Sequence, residues 1–445
     1  MFAHQKKSVA LLAKRPRAFD TSDPGTGKTR VQLEAYQNDT KRKKALVICP
    51  KSLCESAWGK DIEEFTPRLR YVIAPAGKRR AAFDQDVDIY ITNTDAVAEL
   101  VNFPDSVWKR FDTLIIDEST AFKHNTSKRS KAVYKLAKHF SKRRLMTGTP
   151  TSNGLPDIWH QMMIVDDGAH LGKSFFAFRA AVCQAKQIGP MPNMVRWEDR
   201  PGAEARVAGL LAEVIIRNKF EECVDIPANF MYSVPFTLSK KHMATYQDMS
   251  IMATTQLKKQ TVTAVNGAVL YTKLLQIASG AVYDDSGSYS SIASERYNLV
   301  MDLVEAREHS IVFFTWEHQR NELIKHAKSR GISYAVFDGS TSDKDRTRIV
   351  KEYQEGKYQV LLAHPQSAGH GLTLTRGTAT IWASPTYNLE HFLQGLKRVH
   401  RIGQTEKTET IVVVAEGTVD VKVWESLQAK SVRMTDLLES LKEAA

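Results

Sequence analysis

The sequence predicts an α/β protein of two tandem lobes, each on a parallel sheet, with a mainly helical insertion between their motif blocks. Three observations carry this. Short, continuously apolar runs recur between stretches of helical spacing, as strands buried on both faces require. That rhythm halts at about residue 204 and resumes after Glu295. The chain has 445 residues, too long for one ordinary domain. The expected division is 1–226 for a first lobe with a helical protrusion and 227–445 for a second. Asp225-Ile226-Pro227 is the breakpoint, and the second core starts at about 295.

Taken in order, His4 to Leu12 has helical spacing and carries Gln5, which could meet an adenine edge but on spacing alone reads as a surface glutamine. A short apolar stretch ending at Phe19 precedes TSDPGTGKT, residues 21–29, which leads into a helical run from Val31 to Tyr36. Strands follow at Ala45 to Cys49, Val87 to Asn93, Thr113 to Asp117 and the run into Thr147, with a helix over Trp58 to Phe65. Leu155 to Val165 and Phe175 to Val182 are helical in pattern, and Gln187 to Gly202, punctuated by proline and glycine, reads as a loop. Residues 204–280 read mainly as helices. Strands then recur at Ile311 to Phe314, Tyr334 to Phe337, Gln359 to Ala363, Thr380 to Trp382 and Ile411 to Val414. Helices separate them at His318 to Ser329, Lys344 to Tyr353 and Leu389 to Lys397.

Composition bounds the class. Hydrophobic residues make up 42% and charged residues 25%, and no apolar run has membrane-spanning length, so no membrane partner is expected. The first residues show no leader pattern. Cys49, Cys54, Cys183 and Cys223 are not spaced as a zinc site and read as reduced, buried thiols in a reducing compartment. The net charge of +12 points to a polyanionic partner or a solvated basic face. It concentrates between Lys123 and Arg144, where nine cations stand with no acidic residue among them.

Two motifs carry chemistry. In residues 21–29, Gly25 and Gly27 let backbone N–H groups turn toward a phosphate, Lys28 can reach β/γ-phosphate oxygens and Thr29 can offer a hydroxyl to Mg²⁺. Ser22 stands where the strict pattern has glycine. Asp117 and Glu118 end an apolar strand: the first suits the Mg²⁺ that Thr29 touches, the second an attacking water. Gln394 to Gln404 (QGLKRVHRIGQ) adds Arg398 and Arg401, three apart and so on one helix face, as candidate arginine fingers; without context they form only a basic helix.

With TSDPGTGKT, IIDES, LMTGTPTSN, FDGSTS, SAGHGLTL and QGLKRVHRIGQ in family order from His4 to about Val414, the chain resembles the Swi/Snf-type branch of superfamily-two helicase-like ATPases. The resemblance implies two RecA-like lobes that hydrolyse ATP with Mg²⁺ between them and move along double-stranded DNA. It places Gln5, Gly25, Thr26, Gly27, Lys28, Thr29, Gly371 and Gln394 at the nucleotide, and Lys28, Asp117, Glu118, Arg398 and Arg401 in catalysis, with Thr29 and Asp117 toward Mg²⁺. Pro50, Lys51, Ser52, Thr92, Asn93, Lys123, Thr315, Trp316, Ser367 and Thr373 fall where such proteins face the DNA backbone.

The chain departs from the pattern at Ser119 and Thr120, where Ala-His is usual, at His370 in place of a common glycine and at Lys397 in place of a common aspartate. Its short middle block suggests a compact viral or bacterial motor. The expectation is a monomeric translocase in a bacterial or virus-infected cytoplasm, or a nucleus in a eukaryote, with a replication, recombination or transcription protein as candidate partner. The rival readings are a strand-separating DNA or RNA helicase and a non-catalytic ATP-gated clamp. The run from Lys123 to Arg144 reads either as a DNA contact or as a solvated helix face.

Overall fold

The computed structural model describes residues 1–187, 194–259, 264–284, 286–368 and 372–444. Met1–Asp225 with Lys430–Ala445 form one compact unit and Ile226–Ala429 a second. No helix among the described residues is long and apolar enough to cross a membrane.

In the first unit the apolar runs become β1 (Arg17–Asp20), β2 (Lys44–Cys49), β3 (Tyr71–Ile73), β4 (Ile89–Asn93), β5 (Phe111–Asp117) and β6 (Lys142–Met146). β7 (Cys183–Gln187) and β8 (Val195–Asp199) form a separate antiparallel hairpin, and β9 (Ile215–Ile216) returns to the main sheet. That sheet runs β3-β4-β2-β5-β6-β1-β9, with every pair parallel. β5 is buried along its whole length, which explains why it reads as unbroken apolar sequence rather than alternation. One face packs Val47, Ile91, Ile115 and Met146 against Trp58 and Ile62; each such side chain, fully buried, contributes roughly 1.5–3 kcal/mol. Leu12, Ala18, Val31, Ala35 and Ile216 form a second cluster, seating the helices Ala3–Lys14 and Lys28–Gln37.

The second unit is a six-stranded parallel sheet, made by β10 (Asn229–Phe236), β13 (Ser310–Phe313), β14 (Tyr334–Phe337), β15 (Val360–Ala363), β16 (Ala379–Trp382) and β17 (Thr408–Ala415), after the small antiparallel pair β11 (Ala281–Tyr283) and β12 (Tyr289–Ser291). Its order is β10-β17-β16-β13-β15-β14. Both lobes are therefore built on parallel α/β sheets.

Three elements differ from the sequence expectation. β8 lies inside the stretch expected to be loop, since Val195 to Asp199 pairs residue for residue with β7. β9 and β10 lie in the stretch expected to be helical. β9 is only two residues long, too short for a pattern. β10 is an outer strand with Phe230, Met231 and Tyr232 exposed and Pro235 within it, so it shows no continuous buried run.

Candidate functional site

Residues 21–29 leave β1 and enter the helix Lys28–Gln37 through Gly27, which has φ +80° and caps the helix in the left-handed region. A Cβ there would lie 2.2 Å from Gln5 Nε2. Gln5 is 4% exposed, donates to Thr26 O at 3.2 Å and accepts from Phe2 N at 3.0 Å. It is thus a buried clasp on the loop, not the surface glutamine that its spacing alone suggests. Gly25 is packed on the Phe220 ring in the same way.

The other side of the loop is braced by the segment after β9. Arg217 pairs with Asp23 at 2.7 Å, and Phe220 N donates to Asp23 Oδ2 at 2.9 Å. Ser22 Oγ accepts from Asn218 N and Nδ2, both at 3.0 Å. The serine in place of glycine is therefore an anchoring residue. Lys28 Nζ donates to the carbonyls of Ser22 (2.7 Å) and Asp23 (3.1 Å), inside the loop, and Thr29 follows it half-buried on the first turn.

Sheet register aligns the acids. Asp20 at the end of β1 and Asp117 at the end of β5 both pair with Met146 of the intervening β6. Asp117 is 5% exposed; its carboxylate accepts from Trp58 Nε1 at 3.0 Å and from Glu118 N at 2.9 Å. Burial pushes the Asp117 carboxyl up, opposed by Trp58 and the Lys28 ammonium, while Asp20 adds a raising charge. Burial likewise raises Asp20, again opposed by Lys28. Glu118 turns through φ +50°, and its carboxylate accepts from Thr147 Oγ1 at 3.3 Å. Asp20 and Trp58 are supporting residues that the sequence reading did not single out. The signals were present: a lone acid closing an apolar strand before a glycine loop, and an indole in the stretch after β2.

Among the described residues no group of three or more His, Cys, Asp or Glu side chains is arranged to hold a metal alone. The Asp117 carboxylate nevertheless suits Mg²⁺. A buried carboxylate held up in pKa by desolvation favours a cation, and Mg²⁺ takes one or two protein oxygens together with substrate phosphates.

In the second unit the helix Leu389–Val399 ends with His400 as its cap. Arg401 therefore lies beyond the helix, and the expected shared helix face does not form. The guanidinium groups meet another way: Arg398 Nη1 at 3.2 Å and Arg401 Nη1 at 2.7 Å both donate to Leu372 O, and Arg398 Nε donates to Gln394 O at 2.8 Å. Gln394 is buried and donates to Glu390 at 3.4 Å. Gly395 lets this helix lie on Phe313 and Trp382, whose rings a Cβ would meet at 2.9 Å. Gly371 and His370 lie outside the described residues.

The residues expected at DNA divide by exposure. Lys51, Ser52 and Thr315 are exposed, and Pro50, Asn93, Trp316, Ser367 and Thr373 are half-buried. Thr92 is 1% exposed, with its hydroxyl donating to Ala74 O at 2.9 Å, so its side chain serves the fold. Lys123 is bound to Asp157 at 3.1 Å and Ser152 at 2.7 Å. The basic run divides too: Lys128, Arg129, Lys131, Lys135 and Lys138 are exposed on and just after the helix Lys128–Ala137, whereas Arg143 and Arg144 turn inward on β6.

The family model described as SNF2-related domain matches residues 4–280, and that of the helicase conserved C-terminal domain matches residues 295–403. Protein p41 of the Acyrthosiphon pisum secondary endosymbiont phage 1 is 29% identical, covering 94% of this chain and 93% of its own length. An uncharacterized ATP-dependent helicase of Mycoplasma genitalium is 23% identical over 90% of this chain. The Xenopus tropicalis SWI/SNF-related matrix-associated actin-dependent regulator of chromatin subfamily A-like protein 1 is 24% identical over 94% of it. The chain spans only 38% and 43% of those two relatives. A Sulfolobus solfataricus SWI2/SNF2 ATPase core, solved in complex with dsDNA, aligns over 99% of this chain and 93% of its own, with a TM-score of 0.44 and 20% identity.

Proposed function

Since this chain belongs to the SNF2-related family of helicase-type ATPases, we propose that it is a translocase on double-stranded DNA, using ATP to move along the duplex and displace what is bound there. The observation that carries this reading is the grouping of Lys28, Asp117 and Glu118 at the carboxyl edge of one sheet, beside a loop whose geometry is fixed by its neighbours.

In this reading residues 1–226 are the ATP-binding lobe and the expected helicase lobe, 227–445, keeps its core in 227–429, since residues 430–445 group with the first unit. Lys28 exchanges the Ser22 and Asp23 carbonyls for β- and γ-phosphate oxygens, a gain because a charged acceptor replaces neutral ones. Gln5 and Thr26 lie toward the nucleotide. Thr29 and Asp117 hold Mg²⁺, which when bound neutralises developing phosphate charge. Glu118, steadied by Thr147, orients the attacking water. Arg398 and Arg401, assisted by Gln394 and Gly371, give up the Leu372 carbonyl for the γ-phosphate.

DNA contacts in this proposal are made to the phosphate backbone from the loops holding Pro50, Lys51, Ser52, Asn93, Thr315, Trp316, Ser367 and Thr373. Thr92 and Lys123 act behind them. The test measures ATP turnover with no nucleic acid, single-stranded DNA, duplex DNA and RNA, together with strand separation. Duplex-stimulated turnover without unwinding, abolished in Lys28→Ala, is the expected result. RNA or single-strand preference, or unwinding, would make it a helicase, and a chain without turnover would be a clamp.

A further inference from the structure

Three consecutive cations open β6, and they are committed very differently. Lys142 binds Asp39 and, at 2.8 Å, Asp112. Arg143 donates to Phe140 O at 3.1 Å and pairs with Asp167 at 2.9 Å. Arg144 is 3% exposed, and its Nε and Nη1 find no acceptor among the described residues. Burial pushes its guanidinium down to about 10, with Asp39 and Asp112 opposing. A guanidinium can only donate, so burying two of its nitrogens without acceptors is costly.

Arg144 lines a cavity of about 400 Å³, a size that suits a small molecule. Facing it are Val9, Leu12 and Ala13 from the first helix, with Pro16 and Ala35, all apolar. Asn38, Asp39, Thr40, Lys41 and Lys142 complete the lining beside Arg144. The cavity lies at the amino ends of β1 and β6, whereas the loop at 21–29 and Thr147 leave their carboxyl ends. It is therefore a site separate from the nucleotide loop.

We propose that this cavity binds a small organic monocarboxylate, with its head on the Arg144 guanidinium and its apolar body against the helix Ala3–Lys14. The planar fork of arginine matches a carboxylate in two parallel hydrogen bonds. The apolar wall of Val9, Leu12, Ala13, Pro16 and Ala35 suits an organic body, which a bare inorganic anion lacks. Asp39 and Asp112, both close by and bound to Lys142, repel a multiply charged phosphate more than a single carboxylate.

The experiment titrates the full chain with octanoate and with benzoate by calorimetry, using octanol and inorganic phosphate as comparators. Saturable one-to-one binding of a carboxylate is expected, undiminished in Lys28→Ala. Arg144→Met should weaken it by about tenfold or more, the loss of a charge-assisted hydrogen bond. Ala13→Trp leaves Arg144 in place and fills the cavity, so it decides the matter even where Arg144→Met does not fold. Three results would overturn the proposal: no saturable binding of either carboxylate, binding unchanged in Ala13→Trp, or octanol or phosphate binding as tightly as the carboxylates.

Discussion

In the first unit the groups that meet the nucleotide in the proposed reading are fixed by packing. Gly25 lies on Phe220, Gly27 under Gln5, and Asp117 is clasped by Trp58, so there is little room for another arrangement. In the second unit Arg398 and Arg401 share one neutral carbonyl, that of Leu372, and Arg401 stands beyond the end of its helix. Covalent geometry and close contact define the first; exchangeable hydrogen bonds define the second. A phosphate-binding loop must be preorganised to stabilise charge as it develops, whereas a residue that acts only at one stage of a cycle needs a resting partner that it can leave at small cost.

The largest effects should separate the two regions by what they disturb. Glu118→Gln is expected to lower turnover by about a thousandfold or more while nucleotide binding survives, because the carboxylate acts on the water rather than on the phosphates. Arg401→Ala should also spare binding, with a turnover loss of the order of 10³ if the arginine serves the transition state. Equal and wild-type turnover in Arg401→Ala would mean that Leu372 is its permanent partner, and the contrast between the regions would vanish. Fluorescent-nucleotide binding and phosphate release, measured on the same preparations, supply both readings.

Next in size is the loop glycine. Gly27→Ala meets Gln5 Nε2 at 2.2 Å and must hold φ +80°, which costs an L-residue about 1–2 kcal/mol before any clash. ATP affinity should fall by about tenfold. Because Gln5 itself is proposed to lie toward the nucleotide, the double variant Gly27→Ala, Gln5→Ala is compared with Gln5→Ala alone: the clash is gone and the backbone strain stays, so partial recovery toward that single variant is expected. Full recovery would show that the left-handed conformation is dispensable.

The second unit has its own close approach at Gly395. Gly395→Ala brings a methyl to 2.9 Å from the stacked Phe313 and Trp382 rings and should cost about 1–3 kcal/mol. Hydrogen exchange should quicken in β13 and β16 and stay unchanged in β1 to β6. Unchanged exchange in both would show that the helix simply moves outward.

How much of this was legible depends on the kind of signal. The tight turn at 21–29, the place of the acids 117 and 118 at a strand end and the strands around them were legible because positive-φ turns need glycine and central parallel strands need unbroken apolar runs. β9 and β10 were not, since a two-residue strand has no period and an exposed outer strand has no apolar run. Side-chain burial was legible only in part. Spacing marks Gln5 as outward, yet it folds over Gly27; Thr92 stands at the polar end of a strand where the resemblance places a DNA contact, yet its hydroxyl is tied to Ala74. The basic stretch reads as one patch, but β6 takes its last members inside, a distinction that composition cannot express. The position of Arg401 was missed because a three-residue spacing implies a shared face only while the helix lasts, and this one ends at Val399.

The smallest expected effect tests how firmly packing sets the acid chemistry of the first unit. Trp58 is fully buried and donates to Asp117 Oδ2 at 3.0 Å, a bond that favours the ionised carboxylate against the larger, opposing effect of burial. Trp58→Phe keeps most of the packing and deletes the donor, so the Asp117 pKa should rise further. The proposed role needs Asp117 ionised, and activity is lost as pH falls through that pKa. The acid limb of the kcat/KM profile should therefore move to higher pH, by about one unit if the bond has the strength usual for a charged acceptor. Turnover well above the limb should change little. An unmoved limb would assign it to another group, with Asp20, which burial also raises, the next to replace by Asn.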